Sequence, residues 1–249
     1  MSRSQRVELC AGYLLHQRPF RDSSLILDLY TREHGRLTAF ARGVRGPRSR
    51  SRFSGLQPFQ PLLLSWSGRG EAPSLTGAEC DGPAVQLPPA VLMGAFYLNE
   101  LVLRLTIVHD PHPELLDGYA AAVAHLQVGA ELEPTLRRFE QQLLEQSGYG
   151  VELDREAGEG EPVRADAYYH LMPGVGLRRV AAGAPGATSG RVLLELAAGG
   201  LPDDVDGRRQ VRMLLRAALD HCLEGRELAS RTVARTVARA VARQDQGRG

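Results

Sequence analysis

The chain of 249 residues contains no lysine, and all 30 of its basic residues are arginine. A phosphate-loop NTPase needs a lysine against the β- and γ-phosphates. An enzyme that forms a Schiff base needs a lysine amine. Both classes are therefore excluded, whereas base-composition bias in the genome is our explanation for the missing lysine itself.

Cysteines are also scarce, and the sequence has no long apolar run. Cys10, Cys80 and Cys222 are odd in number and far apart, so we expect buried small hydrophobes in a reducing cytoplasm rather than a disulfide framework. No stretch of 18 apolar residues is present to span a membrane. The first residues lead into an alternating strand rather than a signal segment. We expect a cytoplasmic, nucleoid-associated protein.

Sequence patterns of catalysis are absent too, since no HExxH, CxxC, GxSxG or GxGxxG motif occurs. His109 and His112 are separated by an Asp-Pro pair that breaks the helix needed to make them a metal pair. Asp203, Asp204 and Asp206 follow Gly-Gly-Leu-Pro and are typical of a helix start. A nuclease that uses these acids is the alternative. We expect no enzyme, no catalytic residue, no metal and no cofactor.

Charge is segregated along the chain, although the formal net charge is only +1. Residues 1–70 hold 12 arginines and 4 acidic residues, and residues 71–162 hold 4 arginines and 16 acidic residues. Residues 163–249 hold 14 arginines and 9 acidic residues. This distribution predicts an anionic partner for the first section.

The hydrophobic pattern of the first 80 residues has the period of β-strands. Short runs of alternating residues are separated by glycine-rich turns, which favours a small barrel or sandwich. Two prolines, Pro58 and Pro61, predict that the fourth strand is an edge or is bulged. The predicted strands are 6–16, 23–32, 36–44, 56–66 and 72–79.

After residue 88 the pattern becomes helical, with one irregular interruption. Residues 151–190 are glycine-rich and predict at most one short strand pair. The fold class is thus α+β, with a barrel at 1–80, a helical domain at 81–150 and a mixed region at 151–249 that packs on it. The predicted helices are 88–108, 114–127, 135–147, 191–198, 207–223 and 226–243.

The stretch from His34 to Gly70 is the strongest functional signal, because it is arginine-rich and contains no acidic residue. A cationic groove with aromatic platforms is what a sequence-tolerant binder of single-stranded DNA needs. Most aromatics of this region are expected in the core, and Phe53, in a loop, is the favoured exception. A solvated face is the other interpretation of the charge. The candidate DNA contacts are Arg36, Arg42, Arg45, Arg48, Arg50, Arg52, Phe53 and Arg69.

The last predicted helix carries arginines at a spacing of four residues, roughly opposite a row of valines. This arrangement predicts either a second phosphate-binding surface or a solvated face, with equal weight. The arginines concerned are Arg231, Arg235, Arg239 and Arg243.

Several segments resemble one known family, RecO, in the family's own order. Residues 11–30 (AGYLLHQRPFRDSSLILDLY), continued by TREHGRLTAFARGVR, resemble its opening. LQPFQPLLLSWSGRGE at 56–71 is similar to its fourth and fifth strands. YLNELVLRL at 97–105 and LRRFEQQLLEQSGYG at 136–150 resemble its central helices, and the similarity fades after Val151.

The resemblance implies an N-terminal OB-fold, a helical body and a mixed C-terminal part. It also implies a DNA repair and recombination mediator that binds single- and double-stranded DNA and anneals complementary strands. Its implied partners are RecR, which helps to load RecA, and the acidic tail of the single-strand-binding protein SSB. Some members carry a four-cysteine zinc module. This chain has no cysteine between Cys80 and Cys222, so it resembles the zinc-free branch.

An acidic tail with an aromatic end requires a receptor that pairs arginine with an apolar pocket. Arg137 and Arg138 precede Leu143 and Leu144 by between one and two helical turns and form the candidate receptor. Both arginines could instead pair with acids of the same chain. The alternative function is a protein-interaction adaptor whose basic barrel binds an acidic partner and has no direct role with DNA.

Overall fold

The computed structural model describes residues 5–44, 53, 55–68, 72–234 and 236. They form two compact units. The first comprises the chain up to Leu132 together with the segment from Leu228 onward, and the second is Glu133–Glu227. These units do not coincide with the expected boundaries at residues 80 and 150. Within the described ranges, no helix has both the length and the apolar character that a membrane span requires.

The first unit begins with a closed five-stranded barrel in the order β1-β2-β3-β5-β4. Neighbouring strands are antiparallel except β3 and β5, which run parallel where Phe40 pairs with Ser74. This is the predicted OB-fold. The strands are β1 Gln5–Phe20, β2 Ser24–Thr31, β3 Gly35–Ala41, β4 Leu62–Gly68 and β5 Ser74–Cys80.

The 16-residue strand β1 pairs with both β2 and β4, and two bulges allow it to do so. One lies between Val7 and Cys10 in the pairing with β4, where Leu9 has a φ of 53°. The other lies between Leu14 and His16 in the pairing with β2 and leaves Leu15 outside the ladder. Bulges of this kind bend a strand and re-aim its side chains. The bent strand closes the barrel.

The prediction of an edge or a bulged fourth strand was wrong about where the strand begins and about the edge, although the pairing with β5 does shift register between Ser65 and Trp66. The strand starts at Leu62, so Pro58 and Pro61 precede it rather than interrupt it. It pairs with both β1 and β5, so it is not an edge. Proline lacks the N–H that a ladder requires, and the strand begins only after the last proline.

Two helices of the first unit follow the barrel: α1 Pro89–Leu105 and α2 Pro113–Gln127. The Asn99 side chain of α1 donates to the carbonyl oxygen of Leu15 at 2.8 Å and accepts from the Tyr119 hydroxyl of α2 at 2.6 Å. The Tyr119 ring meets the Tyr13 ring edge-on, with centroids 4.9 Å apart. A buried polar network thus joins the bulged strand to both helices.

The C-terminal segment returns to α1 through the carboxylate of Glu100. Its Oε1 accepts from the N–H of Ala229 and its Oε2 from the N–H of Ser230, both at 2.8 Å, and the Ser230 hydroxyl adds a third bond at 2.6 Å. Residues 229–234 are helical, so Glu100 satisfies free N–H groups at a helix start. Burial alone would raise the pKa of Glu100, but these bonds outweigh it, and the pKa lies below its ordinary value of 4.5.

Glu100→Gln is expected to destabilise the first unit by about 1 kcal/mol near neutral pH, because a partly exposed charge-assisted contact is weakened. A carboxylate with a lowered folded pKa stabilises fully above its unfolded pKa and loses that contribution as the pH falls through the folded value. The difference between wild type and variant should therefore shrink below pH 4.5. Urea unfolding followed by Trp66 fluorescence measures it. Glu79→Gln, at an exposed carboxylate, should not reproduce the pattern.

The second unit combines helices with a small sheet of order β7-β6-β8. The Gln141 amide donates to the carbonyl of Leu196 at 3.3 Å, and Arg212 pairs with Glu133 at 3.1 Å. The end predicted for the helix at 135–147 is confirmed to within one residue, since Gly148 has a φ of 78° and the Tyr149 N–H donates to the carbonyl of Leu144. The elements are α3 Leu132–Gln146, β6 Tyr168–Met172, β7 Gly176–Val180, β8 Thr188–Ser189, α4 Gly190–Ala197 and α5 Val205–Cys222.

Candidate nucleic-acid interface

The arginine-rich connection between Val44 and Phe53, residues 45–52, lies outside the described residues. Arg42 precedes this connection and is exposed. Most of the arginines predicted to contact DNA lie outside the described residues. These are Arg45, Arg48, Arg50, Arg52 and Arg69, together with Arg235, Arg239 and Arg243 of the last predicted helix.

Arg36 shares the outer face of β3 with Phe40, but the end of α1 engages its guanidinium, which the DNA-contact prediction did not allow for. Its Nη2 donates to the carbonyl of Thr106 at 2.9 Å and its Nε to the Thr106 hydroxyl at 3.3 Å. Burial lowers the pKa of this guanidinium. Arg36 therefore connects β3 to the end of α1, and its assignment to DNA is corrected.

Phe53 is also placed differently from the prediction. Only 8% of the residue is exposed, and it packs in the barrel core with Leu62, Leu64 and Trp66. A base cannot stack on a ring enclosed by aliphatic side chains. The choice of Phe53 as the exposed stacking residue is therefore wrong, and the general expectation that aromatics of this region fill the core applies to it.

Arg231 is half-buried and engaged within the first unit. Its Nη2 donates to the Tyr97 hydroxyl at 3.3 Å, and its guanidinium carbon lies 5.6 Å from the centroid of the Tyr97 ring. Tyr97 is 8% exposed. This geometry is a cation–π contact, and it gives Arg231 a structural role in holding the terminal segment against α1.

A different group of described residues has the chemistry of a single-strand interface, at the turn between β1 and β2. Phe20 and Phe40 are half-buried, with ring centroids 5.3 Å apart. The Arg21 guanidinium lies 5.2 Å from the Phe20 ring centroid. Arg18 and Arg42 are exposed. We call this group the aromatic–arginine patch: Arg18, Phe20, Arg21, Phe40 and Arg42.

Strand register explains why the patch forms. Arg18 pairs with Ile26, and Ile26 pairs with Phe40, so these three side chains share the outer face of the sheet. The Phe40 N–H donates to the carbonyl of Pro73 at 2.9 Å, which places the end of the β4–β5 loop beside the Phe40 backbone. The outer face of strands 2 and 3, with the β1–β2 and β4–β5 loops, is where OB-folds bind oligonucleotides.

The patch can neutralise phosphate and stack bases at the same time. The Arg21 guanidinium contacts the half-buried Phe20 ring, and the exposed Arg18 and Arg42 lie two residues from Phe20 and Phe40 in the sequence. Asp22 is the acidic residue in the same turn. Sequence reasoning missed Arg18, Phe20, Arg21 and Phe40 as a group. The available signal was the Arg-Pro-Phe-Arg run at the turn between two strands, where side chains need not be buried.

The candidate tail receptor is not assembled as a surface pocket. Leu143 and Leu144 are 0% and 4% exposed, so they belong to the core of the second unit. Arg137 pairs with buried Glu140 at 2.9 Å, which is the intramolecular alternative anticipated for it. Arg138 is exposed. The prediction is therefore corrected for the two leucines and Arg137.

A cavity of about 380 Å³ opens elsewhere in the second unit, between residues 148–157, the β6–β7 turn and the end of α5. Arg155 and His221 line it, but Glu152 and Glu156 do so as well. Glu156 also pairs with Arg179, whose Nε donates to it at 2.9 Å. Mixed charge of this kind does not favour an acidic ligand.

The acidic cluster has the structural role that its position predicts. Asp204 caps α5 by accepting from the Gly207 N–H at 2.7 Å, and it pairs with Arg191 at 3.0 Å. The Gly207 bond lowers the pKa of Asp204, and the Arg209 contact lowers that of Asp206. The carboxylates of Asp204 and Asp206 are thus occupied by protein donors. The helix-start interpretation is confirmed by the cap that Asp204 forms on α5.

Comparison with known proteins extends these observations. Residues 6–83 match the family described as Recombination protein O N terminal, and residues 89–232 match Recombination protein O C terminal. DNA repair protein RecO of Laribacter hongkongensis is 42% identical over 94% of this chain and 96% of its own length. The protein of the same name from Methylococcus capsulatus is 44% identical over 92% of this chain and 93% of its own length. DNA repair protein RecO of Azoarcus sp. is 41% identical over 94% of this chain and 97% of its own length.

Proposed function

The chain belongs to the RecO family of DNA repair proteins, and on that premise we propose that it is a non-catalytic mediator of recombination. It binds single- and double-stranded DNA through the barrel and anneals complementary strands. Together with RecR it helps to load RecA onto DNA coated with SSB. The protein positions strands and partners without turnover chemistry.

The observation that carries the DNA-binding part is the aromatic–arginine patch. Phe20 and Phe40 lie together on the outer face of the barrel, with Arg18, Arg21 and Arg42 around them. Guanidinium groups neutralise phosphates, and each aromatic face accepts a base of any sequence. Arg45, Arg48, Arg50 and Arg52 follow Arg42 of the patch within ten residues of the sequence, and we expect their charges to add to DNA binding.

Recognition of the SSB tail is the second part of the proposal. The exposed guanidinium of Arg138 on α3 is the member of the predicted receptor that is free of burial, and it can pair with a tail carboxylate. The acidic character of residues 71–162 favours such a local basic contact over a diffuse one. We infer the partners RecR and RecA from the role of the family, and no particular surface of this chain is assigned to them.

Strand annealing tests both parts. On naked complementary oligonucleotides the protein is expected to accelerate duplex formation. On SSB-coated oligonucleotides it should do so only when SSB retains its acidic tail. Arg138→Glu should reduce annealing on coated DNA and leave annealing of naked DNA unchanged, because it reverses a partner contact alone. Fluorescence of a labelled strand pair measures both rates.

Arg226→Glu is the matched control, at an arginine of the second unit that is also exposed. It should behave as the wild type does. Absence of DNA binding near physiological salt would contradict the mediator role and favour the adaptor. Equal annealing with tailless SSB would remove the tail from the proposal. Loss of DNA over time in Mg²⁺, prevented by a chelator, would instead reveal a nuclease.

A further inference from the structure

The β2–β3 turn brings two potential metal ligands next to a buried cysteine. Thr31 pairs with Gly35, and residues 32–34 form a three-residue loop between them. Gly35 has a φ of 63°, as such loops require. The Thr31 hydroxyl donates to the Gly35 carbonyl at 2.9 Å. This compact turn places Glu33 and His34 side by side between the ends of β2 and β3.

Cys10 faces the turn because of the bulge in β1. The register shift between Val7 and Cys10, with Leu9 at positive φ, turns the Cys10 side chain into the barrel, where the residue is 3% exposed. The sulfur of Cys10, a carboxylate oxygen of Glu33 and a ring nitrogen of His34 all lie within 4.8 Å of one another. Among the described residues this is the one group of three metal-ligating side chains.

We propose that Cys10, Glu33 and His34 form a Zn²⁺ site in which water supplies a fourth ligand. Thiolate, imidazole and carboxylate are the three side-chain donors that zinc uses in proteins, and a soft thiolate disfavours Mg²⁺ and Ca²⁺. Zinc–ligand bonds of about 2.0–2.3 Å bring ligand atoms to within about 3.3–3.8 Å of one another. Side-chain rotations that close the group by about 1 Å therefore suffice.

The chemistry of binding is a proton exchange. A sulfur–zinc bond forms, the S–H bond of Cys10 breaks, and the proton passes to solvent. Glu33 is exposed and His34 is half-buried, so the ion can reach the sulfur from the turn. The bound ion would crosslink β1 to the β2–β3 turn. This site differs from the four-cysteine module of other family members, because it uses one cysteine of the barrel.

A single tryptophan makes the site directly observable. Trp66 is the only tryptophan of the chain, and its ring centroid lies 5.1 Å from that of His34. A paramagnetic ion at the site should therefore quench its fluorescence. Co²⁺ substitutes for Zn²⁺ in such ligand sets and adds an absorption band when a thiolate binds it. The quenching reports an ion close to Trp66, and the absorption band reports that a thiolate binds the same ion.

The experiment titrates Co²⁺ into the full chain carrying Cys80→Ser, which removes the exposed thiol. We expect saturable quenching of Trp66 together with a thiolate-to-cobalt band, both reversed by Zn²⁺. Cys10→Ser should abolish the band. Glu33→Gln, at an exposed position that does not endanger folding, should weaken binding at least about 10-fold, since even outer-shell partners are worth that much.

Cys222→Ala is the matched control, because Cys222 is the other buried cysteine and lies in the second unit. It should leave both signals unchanged. A band that survives Cys10→Ser, or one lost with Cys222→Ala, would overturn the assignment. So would the absence of a thiolate band in the Cys80→Ser chain, or Trp66 fluorescence that does not respond to bound cobalt.

Discussion

Replacing Arg18, Arg21 and Arg42 together by alanine is expected to weaken binding to single-stranded DNA of every sequence. It should also flatten the salt dependence. Each phosphate neutralised on a single strand contributes about −0.7 to the slope of log K against log salt. Losing three contacts should therefore reduce the magnitude of the slope by about 2. Fluorescence anisotropy of a labelled oligonucleotide at four or more salt concentrations measures both quantities.

The aromatic half of the patch is tested separately by Phe20→Leu. Leucine preserves apolar contact with Phe40 but removes the face on which a base stacks, which is worth about 1–3 kcal/mol per base. The Kd should rise about 5- to 150-fold, with an unchanged salt slope. Phe20→Tyr keeps the ring and should bind nearly as the wild type does.

The matched control for the triple variant is Arg164, Arg178 and Arg216 to alanine, three exposed arginines of the second unit. If this control flattens the slope equally, diffuse charge rather than the patch binds DNA. If only replacement of Arg45, Arg48, Arg50 and Arg52 flattens it, the loop carries the contacts alone.

Asn99→Leu is expected to lower the free energy of unfolding of the first unit by about 2–6 kcal/mol. The substitution removes the donor to the Leu15 carbonyl and the acceptor of the Tyr119 hydroxyl. Each buried group left without a partner costs about 1–3 kcal/mol. The effect is large because the β1 bulge prevents Leu15 from finding a ladder partner instead. Urea unfolding monitored at Trp66 measures it.

A double-mutant cycle isolates the network. Adding Tyr119→Phe to Asn99→Leu removes one of the two orphaned groups, so the double variant should be more stable than Asn99→Leu alone. Burial raises the pKa of Tyr119 well above its ordinary value, so the hydroxyl remains a neutral donor throughout. Gln17→Leu, at an exposed amide, should change stability by less than about 0.5 kcal/mol. Additive effects of the two buried substitutions would contradict the network.

The barrel could be predicted from the sequence because its strands alternate cleanly. In β3 every second residue is buried, from Gly35 to Ala41, and the hydrophobic pattern carries that information directly. Closure depends on the bulges of β1, which no local pattern marks. The division into units was also beyond sequence reasoning. It depends on a long-range contact, the bonds from Glu100 to Ala229 and Ser230.

The candidate site was predictable in its chemistry but not in its residues. An excess of arginine among aromatics indicates an anionic partner wherever the side chains point. Which ones are exposed depends on tertiary packing, which buries the loop residue Phe53 in the barrel core and leaves part of Phe20 exposed. The role of Arg36 could not be predicted for the same reason, because its partner Thr106 is 70 residues away in the sequence. The cluster of Cys10 with Glu33 and His34 likewise arises only when the barrel closes.

The return of the chain at Leu228 determines when the first unit can be completed during synthesis. Everything up to Leu132 leaves the ribosome before the second unit is made, and the segment that binds Glu100 emerges last. At about 5–20 residues per second, the intervening stretch takes roughly 5–20 s to translate. Throughout that interval the nascent barrel and its two helices lack the partner of Glu100 and Tyr97. A chain whose synthesis stops before Leu228 would contain the barrel and its two helices. It would lack the contacts of Glu100 with Ala229 and Ser230 and that of Tyr97 with Arg231.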